Sequence, residues 1–209
     1  MARLFLVVVA LGLIQCGLGN NIFDAEIEAD GLESLARQNF HKRIINLVNQ
    51  QINVYLNASY VYTAMSNHFD RDSVALPGFS HYFHEAAEFE REKAESLMKY
   101  MNKRGGKVEL GKIEAPLRQE WPNSLSAMED AQRIEEDIFE TLMQLHRVAD
   151  TPTKKRKADI HLASVLEDTY LHDQIEQIKK KADYITELSR AMRHTTPGLG
   201  EFIFDQKLR

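Results

Sequence analysis

The sequence predicts an all-α fold: a four-helix bundle with a long crossover between the second and third helices and a short fifth helix at the C-terminal end. Three observations carry this. Apolar residues recur at helical steps through four long segments, a Gly- and Pro-bearing stretch without helical period separates the second from the third, and no segment shows a strand's two-residue alternation.

The first helix runs from Gln38 to about His68, where Ile44, Val48, Ile52, Tyr55, Tyr62, Met65 and Phe69 mark one face. Asp70-Arg71-Asp72-Ser73 interrupts it. Pro77-Gly78 opens the second helix, since proline needs no intrahelical donor in a first turn, and Gly105-Gly106 ends it after Arg104. Lys107 to Pro122, with Gly111, Pro116 and Pro122, is the crossover. The third helix spans about Ser124 to Ala149, with Met128, Ala131, Ile138, Leu142 and Leu145 on one stripe. The fourth spans about Ala158 to Met192 with room for a bend, and Lys154-Lys155-Arg156-Lys157 before it reads as a solvated basic turn. Leu199, Phe202, Ile203 and Phe204 suit a short fifth helix. The long crossover makes the second and third helices parallel.

The 209 residues suit one domain, residues 38–209, preceded by an extension over 20–37 and a leader over 1–19. The leader is expected from Arg3, the apolar run Leu4 to Ile14 and the small residues Gly17 and Gly19, which place a secretory cut near Asn20. The product is expected to be secreted or held in the secretory pathway, with no membrane anchor after cleavage. Cys16 is the only cysteine and leaves with the leader, so no disulfide staples the fold. Cleavage removes one arginine and no acid, leaving 25 basic against 31 acidic residues, a net charge of −6. That balance argues against a nucleic-acid partner and is compatible with binding cations.

Charges stand where the helical period calls for apolar residues. The inward stripe of the second helix passes through Phe79, Phe83, Ala86, Glu90, Lys93, Leu97 and Met101, and that of the third through Met128, Ala131, Glu135, Ile138 and Leu142. Tyr55 and Tyr62 from the first helix, and Tyr170 and Gln174 from the fourth, complete the set. Buried carboxylates need a cation or hydrogen bonds, so the cluster reads either as a metal site or as an internal Glu90–Lys93 pair ringed by tyrosine hydroxyls. No Glu-x-x-His occurs, and a protonated lysine donates but does not ligate. Glu85, Glu88, Glu92 and Glu95, spaced three, four and three, form a second carboxylate row, either a solvated face or a site for hard cations such as ferric iron.

From Gln38 to Asp205 the chain resembles the ferritin family. The likeness is carried by Gln51-Ile52-Asn53, Ala58-Ser59-Tyr60-Val61-Tyr62, Phe69-Asp70-Arg71-Asp72, Val74-Ala75-Leu76, Arg104-Gly105-Gly106, Ala127-Met128-Glu129, Gly200-Glu201-Phe202 and Phe204-Asp205. It implies iron storage, as Fe(II), Fe(III) and ferric oxide mineral, in a hollow shell of 24 subunits, with the fifth helix at the four-fold channels. Of the family's ferroxidase positions the chain keeps Tyr62, Glu90, Glu135 and Gln174. It departs at two, Tyr55 in place of a ligand glutamate and Lys93 in place of the ligand histidine. The resemblance therefore implies a light-type subunit that nucleates mineral on Glu85, Glu88 and Glu92, self-assembled or co-assembled with catalytic subunits. Glu167 matches a three-fold channel acid whose companion is Ser164 here.

Two alternatives stay open at this stage. One is a ferroxidase with a rearranged centre that recruits Glu88 or Asp173; the other is a secreted helical signalling protein. On the light-type reading, Tyr55→Glu together with Lys93→His is expected to create rapid iron oxidation. Asn57-Ala58-Ser59 is a glycosylation sequon inside the first helix, where packing disfavours its use.

Overall fold

The computed structural model describes residues 34–196 and 198–209; the leader, its cleavage site, Cys16, residues 20–33 of the extension and Pro197 lie outside the described residues. The elements are α1 (Lys42–Asp70), α2 (Pro77–Lys103), α3 (Ser124–Asp150), α4 (Ile160–Val165), a π-helical segment (Leu166–Leu171), α5 (His172–His194) and α6 (Leu199–Leu208). Among these residues there is no β-strand, and no helix is long and apolar enough to cross a membrane. α4, the π segment and α5 form the predicted fourth helix, with the extra residue of the π turns supplying its irregularity. The first helix starts later than its periodicity implies, because Asn39 sits at φ 54, in the left-handed region, and breaks the chain there.

α2 ends in a Schellman turn: Gly106 N–H reaches Met101 O at 3.0 Å, Gly105 N–H reaches Asn102 O at 3.1 Å, and Gly105 takes φ 69. The end of α3 is closed by a side chain. Arg156, predicted to be solvated with its basic neighbours, is instead buried and donates to Val148 O, to Ala149 O at 3.4 Å and to Thr151 O at 2.5 Å. A guanidinium carries five donors in a fixed fork, so one residue satisfies several carbonyls at the negative end of the helix. Lys154, Lys155 and Lys157 stay exposed.

The crossover is held to α1 by a ladder of asparagines. Asn49 donates to Lys107 O and accepts from Glu109 N–H, both at 3.0 Å; Asn53 donates to Lys112 O at 3.3 Å; Asn57 accepts from Glu114 N–H at 3.2 Å and donates to Asn53 O at 2.9 Å. The carboxamide of the Asn57 sequon thus serves as a loop latch.

α6 lies against the start of both parallel helices and caps them. Asp205 Oδ1 accepts from Gly78 N–H at 2.7 Å and Phe79 N–H at 3.1 Å, while Glu201 Oε1 accepts from Ser124 N–H at 2.8 Å and Ser124 Oγ–H at 2.7 Å. Two carboxylates one turn apart on α6 meet two positive helix ends. The approach at α2 requires glycine: a Cβ on Gly78 would lie 2.0 Å from Asp205 O.

We expect Asp205→Ala to lower stability by about 2–3 kcal/mol, because it uncaps two buried donors at once. Arg156→Met should cost about 1–3 kcal/mol by stranding α3's carbonyls. Thermal melts of the full chain check both, with Lys155→Met as the neutral control.

Candidate functional site

The core divides into two apolar clusters. One gathers Ile44, Val48, Ile52, Leu97, Met101, Leu142 and Leu145. The other gathers Met65, Phe69, Phe79, Phe83, Met128 and Leu188. At the junction stand the residues that break the apolar stripes, Glu90 from α2, Glu135 from α3, and Gln174 and Lys181 from α5, all at least 97% buried, with Tyr55 and Tyr62 from α1 beside them. Of the interior positions the sequence singled out, Tyr55, Tyr62, Glu90, Glu135 and Gln174 come together here, Tyr170 joins the first apolar cluster, Lys93 does not enter the layer, and the fold adds Lys181.

Glu135 is the hub of this layer. Its Oε1 accepts from Tyr62 O–H at 2.5 Å and from Lys181 Nζ at 2.7 Å, and its Oε2 accepts from Gln174 Nε2 at 2.5 Å. Tyr62 O–H also reaches Ala131 O at 3.2 Å. Lys181 further donates to Gln177 Oε1 at 3.3 Å and lies 5.6 Å from the Tyr62 ring centroid. Burial opposes the lysine's charge, but Glu135 with Tyr82 and Glu90 more than offsets it and holds the ammonium above the ordinary lysine range. Lys181 therefore occupies the centre as a resident cation.

Glu90 has a different partner from the one its sequence offers. The spacing makes Lys93 its internal partner; in the fold Lys93 lies at the edge of the bundle and pairs with Asp173. The reason is rotational: the inward face of α2 runs through Ala87, Glu90, Ala94 and Leu97, which turns Ala86 and Lys93 to its flank. Glu90 Oε2 is buried without a hydrogen-bond partner among the described residues. Burial first, then the neighbouring Glu135 carboxylate, push the Glu90 carboxyl up to about 8, with Lys181 and Lys93 pulling the other way. At neutral pH Glu90 is thus mainly a neutral acid. Burial and Glu90 likewise raise Tyr55 well above the ordinary phenol range, and burial and Glu135 do so for Tyr62, so both stay protonated.

This constellation does not fit a di-iron centre. Iron would need the oxygens that Glu135 gives to Lys181, Tyr62 and Gln174, and a second carboxylate that Glu90 supplies only when ionised. Among the described residues no three His, Cys, Asp or Glu side chains form a metal-holding group. The two residues that a rearranged centre would recruit are engaged elsewhere: Asp173 with Lys93, and Glu88 with Arg91 on the outward side of α2.

The carboxylate row lies on that outward side. Glu85 faces His81 at 3.3 Å, Arg91 bridges Glu88 and Glu95, the latter at 3.4 Å, and Glu92 has no ion pair among the described residues. Glu167 Oε1 meets His146 Nε2 at 2.7 Å, and Ser164 Oγ donates to Asp168 Oδ2 at 2.9 Å, so an acid one turn on stands beside Ser164.

A family model for the ferritin-like domain matches residues 45–191. The chain belongs to the ferritin family. It is similar to the ferritin middle subunit of Salmo salar, 43% identical over 84% of this chain and 96% of that protein. It is also similar to the soma ferritin of Lymnaea stagnalis, 45% identical over 83% and 95%, and to the ferritin heavy chain of Echinococcus granulosus, 46% identical over 83% and 95%. The likeness supports an iron-storage ferritin subunit, and family membership implies iron binding.

In this ferritin the residue that sequence reasoning missed is Lys181. It sits in the run Lys179-Lys180-Lys181, which reads as solvent-facing. The signal was the heptad Gln174, Lys181, Leu188, which puts the third lysine on the inward line.

Glu90 also makes stability depend on pH. Its folded value near 8 lies above an ordinary carboxyl near 4.5, so between those values the folded chain holds a proton that the unfolded chain has released. Stability is therefore greatest below pH 4.5 for this group and is lost as pH rises toward 8. We expect Glu90→Gln to melt higher than the parent at pH 9, by on the order of a few kcal/mol, with the gap closing toward pH 5. A gap independent of pH would contradict this assignment.

Proposed function

We propose that this ferritin is a storage subunit of the shell wall, binding iron and favouring mineral growth without oxidising Fe(II) at an interior centre. The observation that carries this reading is the Lys181 ammonium 2.7 Å from Glu135 Oε1, deep in the bundle. With Lys181 and Glu135 cancelling and Glu90 protonated, the layer is close to neutral. A doubly charged ion entering it must displace an ammonium that is already hydrogen-bonded, and gains no net negative charge in return.

Iron binding then falls to the outward face of α2, where Glu85, Glu88, Glu92 and Glu95 present carboxylate oxygen suited to ferric ions. Oxidation is supplied by co-assembled catalytic subunits or by the growing mineral. Assembly is supported by apolar side chains left open on single chains: Leu199, Phe202 and Ile203 on α6 are 45–55% exposed, and Leu117 on the crossover is fully exposed. A 24-subunit shell covers such faces with copies of the same chain. The apolar leader over residues 1–19 supports passage into the secretory pathway.

Purified homopolymer mixed with Fe(II) in air tests the reading by the early rise of ferric absorbance. The expected trace is slow and lacks a fast stoichiometric phase; a fast phase would overturn the proposal. The same assay separates Lys181 from the other substitutions. Tyr55→Glu with Lys93→His, expected from sequence to suffice, should leave the rate near the parent's because Lys181 still holds Glu135. Adding Lys181→Leu should raise it by roughly an order of magnitude or more.

A further inference from the structure

We propose that a pocket between α2 and α5, beside the polar layer, binds a small inorganic oxyanion through Lys180, Gln177, Tyr82 and Lys181. The pocket is partly open to solvent, has a volume of about 170 Å³, and is walled by Tyr82, Glu85 and Glu90 from α2 and by Gln177, Lys180 and Lys181 from α5. That volume accommodates a tetrahedral or planar oxyanion with a water or two, at about 30 Å³ per water.

Two buried polar atoms on lining residues have no hydrogen-bond partner among the described residues: the Tyr82 hydroxyl, on a side chain 8% exposed, which can donate to an oxyanion, and Glu90 Oε2, on one 1% exposed, which can do so only through its proton. Leaving such groups without partners is costly, so the pocket is built for an occupant that hydrogen-bonds.

The chemistry of the wall is that of a donor site. Lys181 uses two of its three N–H groups on Glu135 and Gln177. Gln177 gives its carbonyl oxygen to Lys181, which leaves its amide N–H groups to donate. Lys180 has no ion pair among the described residues and stands over the Tyr82 and Tyr184 rings, at 5.5 and 5.8 Å from their centroids. Of the two carboxyl groups on the wall, Glu85 is mostly exposed and faces His81 at 3.3 Å, and Glu90 lies beside the Lys181–Glu135 pair. Lys180 is therefore the cation on this wall without a carboxylate partner, and charge-assisted hydrogen bonds from it and Lys181 are what an oxyanion requires.

The proposal is independent of the storage reading, because it is read on iron-free protein with no oxidation step. Sulfate is the probe, its charge being constant near neutral pH, and binding to the full chain is followed by titration calorimetry at pH 7 in phosphate-free buffer of low ionic strength. The expected result is one saturable sulfate per chain, weakened roughly tenfold by Lys180→Gln and several-fold by Tyr82→Phe. Lys179→Gln, at a lysine paired with Asp183 at 2.5 Å, should leave binding unchanged. No saturable binding would show that the pocket holds only water and would overturn the proposal. So would equal losses in Lys179→Gln and Lys180→Gln, which would mark diffuse surface attraction, or full binding in both Lys180→Gln and Tyr82→Phe.

Discussion

Placing Glu90 and Glu135 on the inward faces of α2 and α3 obliges the bundle to provide compensation at its centre, because a bare carboxylate among packed helices costs far more than the fold can spare. In an iron-binding bundle the metal can provide it. Here the compensation is covalently part of the chain: Lys181 meets Glu135, Tyr62 and Gln174 complete its hydrogen bonds, and Glu90 keeps its proton. The two apolar clusters close on either side of this layer. An ammonium that the fold carries in this way is permanent, whereas an ion exchanges with solution, so the interior layer is structural, and the proposed storage role assigns iron binding to the surface of α2 instead.

The crossover has a comparable organising effect at the end of the bundle. By making α2 and α3 parallel it brings two positive helix ends to the same end of the bundle, where both call for negative partners. α6 answers this with Glu201 and Asp205 spaced a single turn apart, and Phe204 fixes its seat against Phe79 and Tyr184 at 5.8 and 5.5 Å between centroids. The remaining face of α6 stays apolar and open.

Much of this was legible in the sequence because helical periodicity reports which residues face inward whether or not they are apolar. Glu90, Glu135, Tyr62 and Gln174 fall on those lines and do meet. What periodicity does not report is the few tens of degrees by which a helix turns, and that rotation sends Lys93 to Asp173 instead of Glu90. Nor does it show which member of a lysine run is buried, so Lys181 was hidden by Lys179 and Lys180. Arg156 was missed for a related reason: a basic turn reads as solvated unless one knows that α3's last carbonyls need a donor there.

The cap on α2 also carries a timetable. Gly78 and Asp205 are 127 positions apart, so during synthesis the first turn of α2 leaves the ribosome well before its hydrogen-bond acceptor exists. At about 5–20 residues per second the delay is roughly 6 to 25 s. Throughout that interval the first turn of α2 is without this acceptor. Both caps wait on the same helix, so neither helix start gains its α6 carboxylate until the last residues of the chain have been made.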